Sequence, residues 1–161
     1  MRGPETRRIL LANGYPCPEC FGDPAILMPL FYQPLEATDC QDYVVVPHIV
    51  YGTDYPNVLS PYTDDWKSFI DRLVATRRVI SSSLHGIILA ESYGIRAILL
   101  NDHNMNLFKY QDYYQSTGRM VFPIAHSVEE ALTMEPAPIP DFTEMRQNLL
   151  DAFPYDLWSR S

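Results

Sequence analysis

The sequence predicts an α/β domain of three layers, with a mostly parallel central sheet and helices on both faces. Three observations lead there. Residues 78–100 read as strand, turn, helix, turn, strand: Val79 and Ile80 open an apolar run that stops at Ser81, Ser82 and Ser83. Leu84, Ile87 and Ile88 then keep helical spacing, and Ile95, Ala97, Ile98, Leu99 and Leu100 form a second apolar run. A near-continuous run of that kind suits a strand covered on both faces. Residues 43–51 are β-branched and read as a further strand, and residues 66–74 carry helical spacing before the strand at Val79. The order strand, helix, strand, helix, strand implies right-handed crossovers and a parallel sheet.

The other elements follow in chain order. Pro4 suits the first turn of a helix, with Glu5 beside it; Ile9, Leu10 and Ala12 supply an apolar face, and Gly14 ends it. Residues 22–28 read as a turn followed by an apolar segment, with Asp23 before Pro24 as a turn or cap residue. Residues 33–42 are polar without periodicity and predict a surface loop. In the strand at 43–51, Pro47 must fall at the end or at a bulge. His48 therefore lies near a strand's C-terminal end, where open α/β sheets bind ligands. Residues 52–63 hold Gly52, Pro56, Asn57 and Pro61 and predict a loop. Thr63 or Asp64 then caps a helix whose Trp66, Phe69, Ile70, Leu73 and Val74 form the apolar face.

Gly94 stops the helix that begins near Leu84. Residues 101–106 are polar and follow the third strand, so they overlie the same edge of the sheet. Residues 108–114 are rich in aromatics, which either stack on a sugar ring or pack inward; Lys109 among them can pair with phosphate. Residues 120–124 predict a last short strand, and Ser127 with Glu130 a capping box. Pro136, Pro138 and Pro140 make a stiff linker before a closing helix bearing Phe142, Met145, Leu149 and Ala152, which Pro154 ends. One domain over residues 1–161 is expected, with 136–161 as linker and closing helix.

Composition narrows the function. A chain of 161 residues, 47% hydrophobic and 20% charged, has the balance of a globular protein able to bury a core. A net charge of −8 argues against a protein that tracks nucleic-acid phosphates. It leaves room for one anionic substrate, because a single helix N-terminus can hold it. No apolar run approaches the roughly 20 residues of a membrane span, and no signal-peptide core is present. A soluble cytoplasmic protein is expected. Three cysteines close no disulfide framework. Cys17 and Cys20 have metal spacing, but a zinc site needs about four ligands and no second pair follows; Cys40 and His48 would complete one only by coincidence of folding. No metal site is expected.

The segment from Ser82 to Ile95 (Ser-Ser-Leu-His-Gly-Ile-Ile-Leu-Ala-Glu-Ser-Tyr-Gly-Ile) resembles the signature of the polysaccharide pyruvyl transferase family. Four further pieces fit in the family's order: Arg2-Gly-Pro-Glu-Thr-Arg, Gly22-Asp-Pro-Ala, Val46-Pro-His, and Phe108-Lys-Tyr-Gln-Asp-Tyr-Tyr with Gly118-Arg119. The pieces are specific to family and silent on the acceptor. The resemblance implies a Rossmann-like domain similar to the C-terminal half of a GT-B-like transferase. It also implies transfer of a pyruvyl group from phosphoenolpyruvate to a sugar of an exopolysaccharide or other surface polysaccharide. Phosphoenolpyruvate is then a substrate, no cofactor is expected, and a peripheral place at the membrane where lipid-linked glycans are built is implied beside the cytoplasmic one. In the family, Arg2-Gly-Pro lies after a strand in mid-chain; none precedes it here, so a fragment or a half-length protein is expected. A chain supplying an N-terminal domain, or a second copy, is the expected protein partner, and slow turnover by this chain alone is expected. Two departures stand out. Some members carry Arg where this sequence has Ser83, and that Arg is expected to hold phosphoenolpyruvate; some carry Pro where it has Arg96.

The chemistry can be assigned to residues on that basis. Phosphoenolpyruvate has a carboxylate and a phosphate, so two anion holders are needed. The helix start near Leu84, with Ser82, Ser83 and Gly86, supplies one; Arg2 or Lys109 supplies the other. His48 lies at the ligand edge. His85 is the candidate general acid or base. Glu91, nearly two turns further along the helix, is the candidate for holding a sugar hydroxyl. Two other readings fit the same residues: the donor half of a nucleotide-sugar glycosyltransferase, and a non-catalytic remnant or partner subunit.

Overall fold

The computed structural model describes residues 1–34, 39–50 and 54–158. Four strands form one all-parallel sheet in the order β1 (Val44–Val46), β2 (Arg78–Ser81), β3 (Arg96–Leu100) and β4 (Ile124–Ala125). Val45 pairs with Ile80, Ile80 with Ile98, and Leu100 with Ala125. Helices α1 (Pro4–Ala12) and α2 (Met28–Phe31) precede the sheet, with a 3-10 turn at Pro24–Leu27 between them. The crossovers are α3 (Trp66–Val74), α4 (Leu84–Ser92) and α5 (Phe108–Ser116). Helices α6 (Val128–Thr133), α7 (Thr143–Asp151) and α8 (Tyr155–Trp158) follow the last strand.

Alternation along the strands decides which face each residue serves. Val44, Val46, Val79, Ala97 and Leu99 pack with α3, α4 and α5 in the larger core. Val45, Ile80, Ile98, Leu100 and Ala125 pack on the opposite face with Val128 and Ala131 of α6. Every one of these strand residues is buried, as the predicted two-faced coverage requires. Helix α4 lies against β2, β3 and the 3-10 turn, and seven of its residues are buried. Gly94 closes it with φ +82°.

Several expected boundaries move, each for a local reason. The strand expected over 43–51 ends at Val46, because Pro47 has no N–H for the ladder. His48 N–H instead donates to Ser82 Oγ at 2.8 Å, Ile49 and Val50 turn, and Tyr51 lies outside the described residues. Residues 35–38 of the expected 33–42 loop, and 52 and 53 of the expected 52–63 loop, lie outside them too. Helix α3 is capped by Asp65, whose Oδ1 accepts from Ser68 N–H at 3.0 Å, and not by Thr63 or Asp64. The last strand was expected at 120–124 and forms at Ile124–Ala125. Met120 and Val121 are exposed, and Pro123 cannot donate.

Helix α1 buries none of its residues, and Ile9 and Leu11 are exposed. A carboxylate from elsewhere in the chain holds its first turn. Asp112 of α5 is fully buried and accepts from Glu5 N–H at 2.8 Å, Thr6 N–H at 3.1 Å and the Thr6 hydroxyl at 2.6 Å. Gly3 is buried against the same residue; a Cβ there would lie 2.0 Å from the Asp112 carbonyl oxygen. At the other end, Arg146 of α7 donates to the carbonyls of Ile26 and Ser92 at 2.8 and 2.9 Å, tying that helix to the 3-10 turn and α4.

Glu91 is a second buried carboxylate. It is 1% exposed and receives Arg119 in a two-pronged pair at 2.6 and 2.7 Å, with the Tyr113 hydroxyl at 2.6 Å. A buried pair of this kind is costly to break from one side only. Glu91→Ala is therefore expected to cost about 3–5 kcal/mol in urea unfolding. A loss below about 1 kcal/mol, the range of an exposed pair, would show that the pair carries no such role.

Candidate active site

The turn from β2 into α4 is built by three serines with three tasks. Ser81 Oγ lies 2.8 Å from the Val46 carbonyl and 2.8 Å from the Ser83 carbonyl, and accepts from Ser83 N–H at 3.0 Å. Ser82 is buried; its hydroxyl takes His48 N–H, and its carbonyl takes the Tyr110 hydroxyl at 2.7 Å. Ser83 caps α4, with Oγ accepting from Gly86 N–H at 3.4 Å. Gly86 allows the helix to sit this close. A Cβ on it would lie 2.5 Å from Ser81 Oγ and 2.8 Å from Val46 Cγ1. The helix start, with its positive dipole end, is thereby fixed at the C-terminal edge of the sheet.

A cleft of about 580 Å³ opens there. Arg2, His48, Ser83, His85, Gly86 and Lys109 line it, and Ile49, Pro61, Trp66, Phe69 and Leu89 complete it with apolar surface. Asp23 lies behind the polar wall. Its Oδ1 accepts from Ala25 N–H at 3.0 Å, and its Oδ2 lies 3.5 Å from Arg2 Nε and 3.6 Å from His85 Nε2. Burial alone would raise the Asp23 pKa, but the His85 contact, the Ala25 amide and Arg2 outweigh it and hold the carboxyl below its usual value. Burial, then Lys109, lowers the pKa of His48, which keeps that imidazole neutral at pH 7. Burial, then Arg2, lowers that of Lys109, whose ammonium sits 4.9 Å from the Tyr110 ring centroid.

Of the residues singled out from sequence, Arg2, His48, Ser83, His85, Gly86 and Lys109 meet at this one cleft. Two do not. Ser82 points its hydroxyl to the backbone of His48 and acts by placing that residue. Glu91 is enclosed by Arg119 and Tyr113 and has no free oxygen for a sugar hydroxyl, so the role read for it is corrected to a structural one. Arg96, the second departure from the family pattern, reaches Glu135 on the surface, away from the cleft. Asp23 caps the 3-10 turn, as its place before Pro24 predicts, and it is also the carboxylate behind His85 and Arg2, the role near the site that the Gly22-Asp-Pro-Ala piece left open. Cys17, Cys20 and Cys40 are free thiols. Among the described residues, no group of three or more His, Cys, Asp or Glu side chains could hold a metal ion, and no helix is long and apolar enough to cross a membrane.

The arrangement can hold a small dianion between a helix start and two cations, next to two imidazoles able to move protons. The family model described as polysaccharide pyruvyl transferase matches residues 1–104, and the chain belongs to that family. No curated protein and no solved structure matches the chain.

Asp23 gives the site a pH signature in stability. Its folded pKa lies below its unfolded one, so the stability it contributes is complete above the unfolded value and is lost as pH falls through the folded value. Asp23→Asn is expected to cost about 1–3 kcal/mol near neutral pH. In urea titrations the gap to wild type should close as pH falls below about 4. A gap of constant size from neutral to acid pH would show that Asp23 acts without its charge.

Proposed function

We propose that this polysaccharide pyruvyl transferase family member binds phosphoenolpyruvate in the cleft beside α4 and transfers its pyruvyl group, as a ketal, to two hydroxyls of a surface-polysaccharide sugar. The observation that carries this reading is the convergence of Arg2, Lys109 and His85 on the start of α4 in one cleft. The phosphate lies at the helix start, where Ser83 and the first-turn amides donate, and the carboxylate pairs with Lys109 or Arg2. Ser83 stands where some relatives carry Arg. A hydroxyl supplies no fork of charge, so Lys109 and Arg2 carry more of the binding here.

His85 protonates the methylene carbon of the donor, and the cation that develops at the central carbon is attacked by the first sugar hydroxyl. The bond from that carbon to the phosphate oxygen then breaks, and the second hydroxyl closes the ketal. One hydroxyl proton replaces the proton His85 gave to the new methyl group. The other leaves with phosphate as hydrogen phosphate. His48, neutral at pH 7, is placed to accept a hydroxyl proton. The Asp23 carboxylate holds His85 and Arg2 in place from behind.

Calorimetry on the 161-residue chain tests the donor. Phosphoenolpyruvate should bind, and UDP- and GDP-sugars should not compete. Lys109→Ala and His85→Ala are each expected to weaken binding about tenfold or more, the size of one charge-assisted hydrogen bond. The melting temperature should hold, because the His85 side chain is 64% exposed. Tight binding of a nucleotide-sugar with none of phosphoenolpyruvate would overturn the reading.

A further inference from the structure

The tyrosines of α5, offered by the sequence as a surface for a sugar ring, are not available to one. Tyr110, Tyr113 and Tyr114 are fully buried. The hydroxyls of Tyr110 and Tyr113 are spent on Ser82 and Glu91. The broad ring exposed in the cleft is on another helix. Trp66 opens α3, lines the cleft and remains 46% exposed. Its ring is held in place: Tyr32 packs edge-on at 5.2 Å and 74°, Tyr32 is anchored by its hydroxyl on Asp71, and the Lys67 ammonium lies 5.5 Å from the Trp66 centroid.

The cleft's lining is of two chemical kinds, cationic at Arg2 and Lys109 and apolar at Pro61, Trp66 and Leu89. A neighbouring hollow shares His48 and Lys109 with it. At about 580 Å³ it falls in the range that encloses a drug-sized ligand, which a three-carbon phosphorylated acid does not fill. A second reactant has room beside the donor. One face of a pyranose ring is made of C–H groups and stacks on a flat indole, while its hydroxyls turn outward to polar groups.

We propose that Trp66 is the platform for the pyranose ring of the acceptor, in the cleft that also holds the donor. This rests on the donor reading above for its reaction, and it can fail separately from it. A lipid chain is the other occupant that an apolar wall suits, and the test below separates the two.

The chain has two tryptophans, so Trp158→Phe leaves Trp66 as the single reporter. Methyl pyranosides of glucose, galactose, mannose and N-acetylglucosamine are titrated at millimolar concentration, with and without phosphoenolpyruvate. At least one should quench Trp66 emission and shift it to shorter wavelength. By ligand-observed NMR, its binding should weaken about tenfold in Trp66→Ala and less than threefold in Trp66→Phe, which keeps a ring if the alanine variant misfolds. Phosphoenolpyruvate affinity should change less than twofold in both. If no pyranoside perturbs Trp66, or if binding is unchanged without the ring, the platform is wrong, whatever the donor result. If octanoate produces the shift and pyranosides do not, the wall is a lipid site and the proposal falls. If a pyranoside binds at Trp66 and phosphoenolpyruvate does not bind, the platform stands and the donor reading fails.

Discussion

The site depends on the contact between the first turn of α4 and the end of β1. Gly86 faces Val46 and Ser81 with no space for a side chain. That closeness lets Ser81 Oγ lie at hydrogen-bond distance from both the Val46 and Ser83 carbonyls, and lets Ser82 take the N–H of His48. Two consequences follow from one missing methyl group. The helix start is aimed at the sheet edge, and His48 is brought into the cleft wall. Any residue but glycine would move the helix or the strand, and the polar wall would separate.

The core of this arrangement was legible because the information is local. The run of apolar residues from Val79, the serine cluster, the helical spacing from Leu84 and Gly94 all lie within residues 78–100, and the fold class follows from them. The remainder depends on contacts across the chain. Asp112 caps α1 from over a hundred residues away, so the apolar stripe of that helix suggested a burial that does not occur. Glu91 is instructive in another way. It stands at i+7 from Leu84 and i+4 from Ile87, on the buried face, and that spacing already called for a buried partner. Arg119 was in view as part of a motif, but nothing local joined the two.

Charge is distributed in the same economical manner. The chain carries −8 overall, yet Arg2, Lys109 and two histidines line the cleft, with Asp23 behind them. Low-dielectric walls focus such a local field, and an anion approaching the cleft meets it and not the average charge of the molecule. Asp23 keeps Arg2 and His85 from separating under mutual repulsion when both are charged, without neutralising Lys109.

The buried pair at the other end of α4 belongs to the same electrostatic design. Glu91 lies in the last turn, where a negative charge opposes the helix dipole. Left alone and buried, it would be an uncompensated charge in the core. Arg119 neutralises it by a two-pronged contact and also donates at 3.3 Å to the carbonyl of Pro138. The cation is stacked 4.4 Å from the centroid of the Tyr114 ring, so it is enclosed on its faces as well as its edges. The pair fixes the far end of α4 as firmly as Gly86 fixes the near end. A helix held at both ends cannot slide along the sheet, and the anion-binding turn keeps its position whether or not a ligand is there to hold it.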